Sequence, residues 1–350
     1  MQEQEILKRG EAAIKACLDR VPFLKIRNED FPPLSPTRRP DFLLRVEAPS
    51  GQYTLVVEAK SSGQPRIARQ AIDQLKMYER RASGSYSVFL APYISATAAS
   101  LCEEEGIGYV DLAGNCRLSF GQIYIEQRGK QNPYSEKRAL RSLYSPKSER
   151  ILRVLLVARQ SSWKVEELAA AADVSVGLVS KVKRLLEDRE WLDRHVAGMK
   201  LSAPEAALKE WAENYRYEKH ERSDYYSFAS GADLERQVAE AARSCNVRIA
   251  FTGFSAAVRF APAVRYTHSM VFCDGDPSCL AQALELKRVS SGANLAFIRP
   301  YDGGVFYGVE DRDDVPVVTP VQAYIDLMKQ AARGEEAANA LLEEAIRSRW

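Results

Sequence analysis

Three helix-forming stretches and a short strand pair follow one another between Ser145 and Ser202, and no other feature limits the fold as tightly. Ser145 followed by Pro146 reads as an N-cap with proline at the first helical position. Ile151, Val154, Leu155 and Ala158 then fall on one face of a helix. Residues 163–171 supply a second helix with Val165, Leu168 and Ala169 inward, and Ala172-Asp173-Val174-Ser175 is a tight turn into a third. Ser175 is placed to cap that third helix, whose stripe Val179, Val182, Leu185 and Leu186 predicts its buried face. Trp191 to Leu201 then reads as two short strands about a turn.

The string A-x-x-x-D-V-S-x-G-x-V-S ending on Leu186 resembles the winged helix-turn-helix of bacterial transcriptional regulators, over some sixty residues. Off the apolar stripe, the third helix and its cap present Ser175, Gly177, Ser180, Lys181, Lys183 and Arg184. Small, hydroxylic and basic residues suit a helix entering the major groove. They add no bulk, and they offer donors to phosphates and base edges. Arg194, His195 and Lys200 of the strand pair are candidates for backbone contact, so the expected partner is double-stranded DNA, bound by a homodimer because one such helix covers only a half-site.

Charge does not decide this, since 49 Lys and Arg against 47 Asp and Glu leave a net charge of only +2. It is local: residues 128–153 carry Arg128, Lys130, Lys137, Arg138, Arg141, Lys147, Arg150 and Arg153 against Glu136 and Glu149, an electropositive stretch before the helices. Length and pattern divide the 350 residues into a multidomain α/β and α+β protein. The expected pieces are residues 1–130, a basic linker 131–144, a DNA-binding domain with a trailing helix over 145–222, and an α/β domain over 223–350. Six scattered cysteines without a C-x-x-C pair, and a polar start, favour a cytoplasmic chain with free thiols. No apolar run approaches membrane-spanning length.

In the first segment Arg39-Pro40-Asp41 precedes one expected strand, and Val57-Glu58-Ala59-Lys60 ends the next. Residues i and i+2 of a strand share a face, so Glu58 and Lys60 point together while Val57 and Ala59 pack the other way. This order resembles the PD-(D/E)XK signature of restriction-endonuclease-like domains. The resemblance implies that Asp41 and Glu58 hold Mg²⁺, with Lys60 acting on a water. Gln70, Gln74 and Tyr78 follow at helical spacing, and Gln74-x-x-x-Tyr78 resembles an accessory motif of such nucleases. Glu11 is a further acidic candidate. The catalytic candidates are therefore Asp41, Glu58, Lys60 and Gln74, and a domain that keeps the fold without hydrolysis remains the alternative. Asp111, Gly114 and Asn115 read as a tight turn.

Phe251-Thr252-Gly253-Phe254-Ser255 has the outline of a nucleotidyltransferase opening, but His268, Ser269 and Met270 stand where a D-x-D pair belongs, and Asp274 and Asp276 lie at or beyond the strand's end. A strand pair is expected about Asp302-Gly303-Gly304, and a helix over residues 280–289. The order of the three pieces, with residues 108–115, 319–327 and 333–338, resembles the AbiEi-type antitoxin and transcriptional regulator family. That resemblance implies a winged-helix repressor of its own operator, the antitoxin of a type IV toxin-antitoxin system with a cognate toxin. Here, however, a nuclease-like segment precedes the winged helix. Two functions stay open: a DNA-binding regulator, and a Mg-dependent DNA endonuclease using Asp41, Glu58 and Lys60.

Overall fold

The computed structural model describes residues 3–27, 40–79, 84–130, 133, 143–157, 162–331 and 333–350. Ala158, Arg39 and nearly all of the expected linker, with Lys137, Arg138 and Arg141, lie outside them. The chain is mixed α/β and divides into two compact units, residues 1–140 with 185–190, and residues 141–184 with 191–350.

The first unit contains α1 (Glu3–Leu18), β1 (Lys25–Arg27), β2 (Phe42–Ala48), β3 (Gly51–Ala59), α2 (Pro65–Glu79), β4 (Ser85–Ala91), α3 (Ala96–Glu104), β5 (Gly108–Asp111), β6 (Cys116–Phe120) and β7 (Ile123–Gln127). Its seven strands lie in chain order in one sheet, with β3, β4 and β5 parallel and the flanking pairs antiparallel. Parallel neighbours need crossovers, and α2 and α3 provide them. Strand periodicity sorts the core. Leu55, Val57 and Ala59 of β3 cluster with Ile6, Ile14 and Leu18 of α1, whereas Val56 clusters with Ala68, Ile72 and Leu75 of α2. Helices therefore cover both faces. Asp111 is fully buried and accepts from the backbone N–H and side-chain amide of Asn115, both at 2.8 Å, and from Ile94 N–H at 3.2 Å. Burial raises its pKa against those bonds, and it holds the turn through Gly114, whose φ is +99°.

In the second unit α4 (Pro146–Val157), α5 (Val165–Ala171), α6 (Val176–Asp188, whose last residues fall in the first unit) and α7 (Pro204–Asn214) precede β8 (Glu221–Tyr226) and α8 (Gly231–Ser244). There follow β9 (Ile249–Thr252), α9 (Gly253–Ala257), β10 (Ser269–Cys273), α10 (Ser278–Ala283), β11 (Lys287–Arg288), β12 (Leu295–Arg299), β13 (Glu310–Arg312), β14 (Val315–Val317), α11 (Pro320–Leu327) and α12 (Gly334–Leu341). The seven-stranded sheet runs β11-β8-β12-β10-β9-β14-β13. Every residue of α11 is buried, as expected of a helix enclosed on all sides.

Three expectations change here. Gly303–Phe306 is a 3₁₀ helix capped by the Asp302 carboxylate, which accepts from Gly304 N–H at 2.8 Å, so no strand pair forms about Asp302-Gly303-Gly304. The helix expected over 280–289 stops at Ala283, because Lys287 and Arg288 pair with Tyr226 and Tyr225 at the sheet edge. Cys245 and Cys279 form a disulfide with Cα atoms 6.3 Å apart, 34 residues apart in sequence, while Cys17, Cys102, Cys116 and Cys273 are free and buried. Packing of the end of α8 beside α10 brings those two thiols together, which no local spacing announces.

Candidate nucleic-acid interface

Helix α4 is the base on which the rest of the helical module stands. Ile151, Leu152, Val154 and Leu156 are all essentially inaccessible, and Leu168, Ala169, Val179, Val182 and Leu186 are buried on the following helices. The turn after α5 has Schellman geometry: Val174 N–H reaches Ala169 O at 3.0 Å and Asp173 N–H reaches Ala170 O at 3.2 Å. Asp173 takes the left-handed position, φ 51°, which aspartate tolerates better than most residues. Ser175 Oγ accepts from Leu178 N–H at 3.3 Å and caps α6.

Two antiparallel bridges complete the module, Trp163 with Met199 and Leu192 with Leu201. Trp163 and Met199 exchange both backbone hydrogen bonds, at 3.0 and 2.7 Å. Gly198 turns this hairpin at φ +110°, and a Cβ there would stand 2.7 Å from Trp163 O, so both conformation and space require glycine.

With α6 fixed this way, Ser175, Gly177, Ser180, Lys181 and Arg184 are exposed, Lys183 is half-buried, and Arg194, His195 and Lys200 are exposed on the hairpin. A Cβ on Gly177 would meet nothing within 4 Å among the described residues, so packing there does not explain the glycine and it leaves the surface low. Lys181, Arg184 and Lys200 make no ion pair among the described residues. The outward face is thus cationic and hydroxylic, with Val176 also exposed at its start, and it offers the donors that phosphate and base-edge contact require.

Two cations of the expected electropositive stretch are not available to a ligand. Arg153 is 2% exposed, and its Nε and Nη2 both donate to Gln322 Oε1 at 3.0 and 2.6 Å, with the guanidinium over the Trp211 ring. Arg150 donates from Nε to Asp302 Oδ1 at 2.8 Å and from Nη1 to Asp173 Oδ2 at 2.7 Å. A polar seam runs beneath α4. Glu149 accepts the Tyr301 hydroxyl, Gln322 Nε2 donates to Asp326 at 3.1 Å, and Thr252 Oγ1 donates to Asp326 at 2.5 Å. Burial raises the pKa of Glu149 and pushes that of Asp326 up to about 6, while burial lowers that of His220 to about 4. His220 is therefore neutral. Tyr301 N–H can only donate to its Nδ1, so Nε2 carries the proton toward the Tyr215 hydroxyl, 2.7 Å away. Sequence reading placed none of these residues in a shared site. The available signal was Glu149 and Arg153 at i and i+4, flanking the apolar Ile151 and Leu152.

In the first unit the register Phe42 opposite Val57 sets Asp41 beside Glu58 across the strand pair. Asp41 Oδ2 accepts from Ala59 N–H at 2.6 Å, and Lys60 Nζ meets Glu58 Oε1 at 2.5 Å. Glu58 is buried and Asp41 exposed. Gln74 is half-buried, its Oε1 enclosed with no hydrogen-bond partner among the described residues, while Gln70 is exposed and Tyr78 buried in the core. Each step of four residues advances about 40° around a helix, so these three do not share one environment. Glu11 pairs with Lys15 along α1 at 2.7 Å. No group of three or more His, Cys, Asp or Glu placed to hold a metal occurs among the described residues.

In the second unit Ser269 donates to Glu235 at 2.8 Å, Arg259 pairs with Glu235 at 2.7 Å, and His268 Nδ1 lies 3.0 Å from Ala293 O. Asp276 accepts from Ser278 N–H at 3.0 Å, and Asp274 is exposed.

Residues 200–347 match the family model described as transcriptional regulator, AbiEi antitoxin, type IV TA system. The match covers all seven strands of the second unit's sheet with α7, α11 and α12, and begins where the helical module ends. No curated protein and no solved structure matches the chain. No helix among the described residues is long and apolar enough to cross a membrane.

Proposed function

We propose that the chain is a DNA-binding transcriptional regulator of the AbiEi antitoxin type, reading duplex DNA through a winged helix-turn-helix formed by residues 145–202. The observation that carries this reading is α6: one face is closed by Val179, Val182 and Leu186, and the other exposes Ser180, Lys181 and Arg184 beside an open Gly177. The family match over 200–347 supports the regulator role, and the resembling part adjoins that module in sequence. A homodimer on two half-sites and a toxin partner follow from the same reading. Replacing Lys181 and Arg184 with Ala should weaken binding to a duplex selected by the wild-type chain from a randomised pool. The log-log salt slope should fall by about 0.9 for each phosphate no longer neutralised. Unchanged affinity and slope would remove α6 from the interface, and the absence of any co-purifying product of a neighbouring gene would remove the antitoxin role.

A second reading is favoured by one observation, the register that sets Asp41 beside Glu58 with Lys60 directly after the same strand. Two carboxylates fit Mg²⁺, which keeps several waters and takes one or two protein oxygens. Asp41 and Glu58 would hold it, and the ion would supply Lewis-acid activation for phosphodiester hydrolysis. Within the chain, Ala59 N–H orients the Asp41 carboxylate and Lys60 holds Glu58. Plasmid cleavage by the wild type with Mg²⁺ or Mn²⁺, abolished in Asp41→Ala and Lys60→Ala, is the expected outcome of this second reading. No cleavage, or equal cleavage by the variants, ends it.

A further inference from the structure

Arg150 stands at the junction of three parts of the second unit. It belongs to α4, its Nη1 holds the carboxylate of Asp173 in the turn before α6, and its Nε holds Asp302, which caps the 3₁₀ helix following β12. The Asp302 bond is the larger stabiliser of its charge. Gly304 is shaped around this junction, since a Cβ there would stand 2.8 Å from Arg150 Cγ, Arg153 Nη1 and Asp302 Oδ1 alike. The neighbouring α4 residues Glu149 and Arg153 reach Tyr301 and Gln322, so polar contact with the C-terminal part is continuous along the helix. By contrast the Asp173 carboxylate is 92% exposed, and Arg150 is its one side-chain partner among the described residues.

We propose that Arg150 is the positioning residue of the recognition helix: it ties the Asp173 turn to the loop at Asp302, so that the orientation of α6 depends on how residues 302–306 sit in the C-terminal sheet. This rests on the DNA-binding reading for its consequence but not for its geometry. A guanidinium can serve both acids at once because its donors diverge in a rigid plane, which a lysine ammonium on the same stem cannot reproduce. The turn leads directly into Ser175, the cap of α6, so a shift of the turn moves the first residues presented to DNA. Anything that binds the C-terminal sheet and displaces the 302–306 loop would act on DNA affinity through the Arg150 link.

The sign of the effect separates this role from simple electrostatics. Asp173→Asn and Asp302→Asn each remove a negative charge, which by itself strengthens attraction to a polyanion. Positioning predicts the reverse: each variant binds the duplex selected by the wild type about tenfold more weakly, a change within the range of energetic coupling between linked sites. The salt slope stays that of the wild type, and Arg150→Lys fails to rescue Arg150→Ala. The double variant Arg150→Ala/Asp302→Asn should bind no more weakly than Arg150→Ala alone, since both cut the same link. Tighter or equal binding by Asp302→Asn overturns the proposal. So does a slope that falls by about 0.9 in Arg150→Ala, which makes Arg150 a phosphate contact instead. Amide hydrogen exchange at residues 172–176 of the free chain provides a readout without DNA. Exchange should quicken in Asp302→Asn, and unchanged protection would also overturn the link. If the wild type selects no duplex, the DNA-binding reading fails while the exchange measurement still decides the link.

Discussion

Replacing Asp326 with Asn should make the stability of the second unit less dependent on pH between 7 and 5. Asp326 is completely buried on α11, facing the Thr252 hydroxyl, the Gln322 amide, Tyr215 and, further off, the Arg153 guanidinium. Burial raises its pKa from 3.8 to about 6 in spite of those partners. A folded-state value above the unfolded one means that the folded form binds the proton more tightly. The contribution is complete below about pH 4 and is lost as pH rises through about 6. Going from pH 7 to pH 5, the wild type should gain about 1 kcal/mol from this group, from the ratio of proton binding by the two states. The amide of Asp326→Asn does not titrate, and it leaves Glu149, whose pKa burial also raises, in place in both proteins. The difference in unfolding free energy between wild type and variant, measured in urea at both pH values, therefore isolates Asp326. Trp163, Trp191, Trp211 and Trp350 are the chain's four tryptophans and all belong to the second unit, so their fluorescence follows its unfolding. A difference that does not move, or that shifts in favour of the variant at pH 5, refutes the argument.

Gly198→Ala should destabilise the second unit by about 1–3 kcal/mol, because the turn before Met199 must leave φ +110° or push Trp163 O away. On the proposed DNA-binding reading, weaker duplex binding with an unchanged salt slope should accompany it, and a variant as stable as the wild type would show that the hairpin relaxes freely. Reduction of the Cys245–Cys279 disulfide, which closes a loop across 34 residues, should lower stability by about 2–4 kcal/mol, with Cys279→Ser matching the reduced wild type. Equal urea midpoints with and without reductant would refute that contribution.

Much of the architecture is written in local pattern. The alternation of Val57-Glu58-Ala59-Lys60 separates faces by a period of two. The stripe Val179, Val182 and Leu186 defines the inner side of α6, and Asp173-Val174-Ser175 carries both the turn and the cap. These are properties of neighbours in sequence, fixed by backbone geometry and by which side chains leave water. The candidate interface was legible for the same reason: Lys181 and Arg184 are exposed because the stripe beside them is not.

Pairings across distance were decided only when the chain closed on itself. Arg150 and Arg153 read as surface cations in a basic stretch, yet one is shared between Asp173 and Asp302 and the other is buried against Gln322. Cys245 meets Cys279, and Asp302 caps a 3₁₀ turn where a strand pair was expected. A charge in a sequence reports only what it costs to bury; whether a partner waits to make that burial tolerable depends on elements more than a hundred residues away, such as α11 beneath α4. The sequence by itself determined which face of α6 meets solvent, and the tertiary structure decided what holds that helix in place.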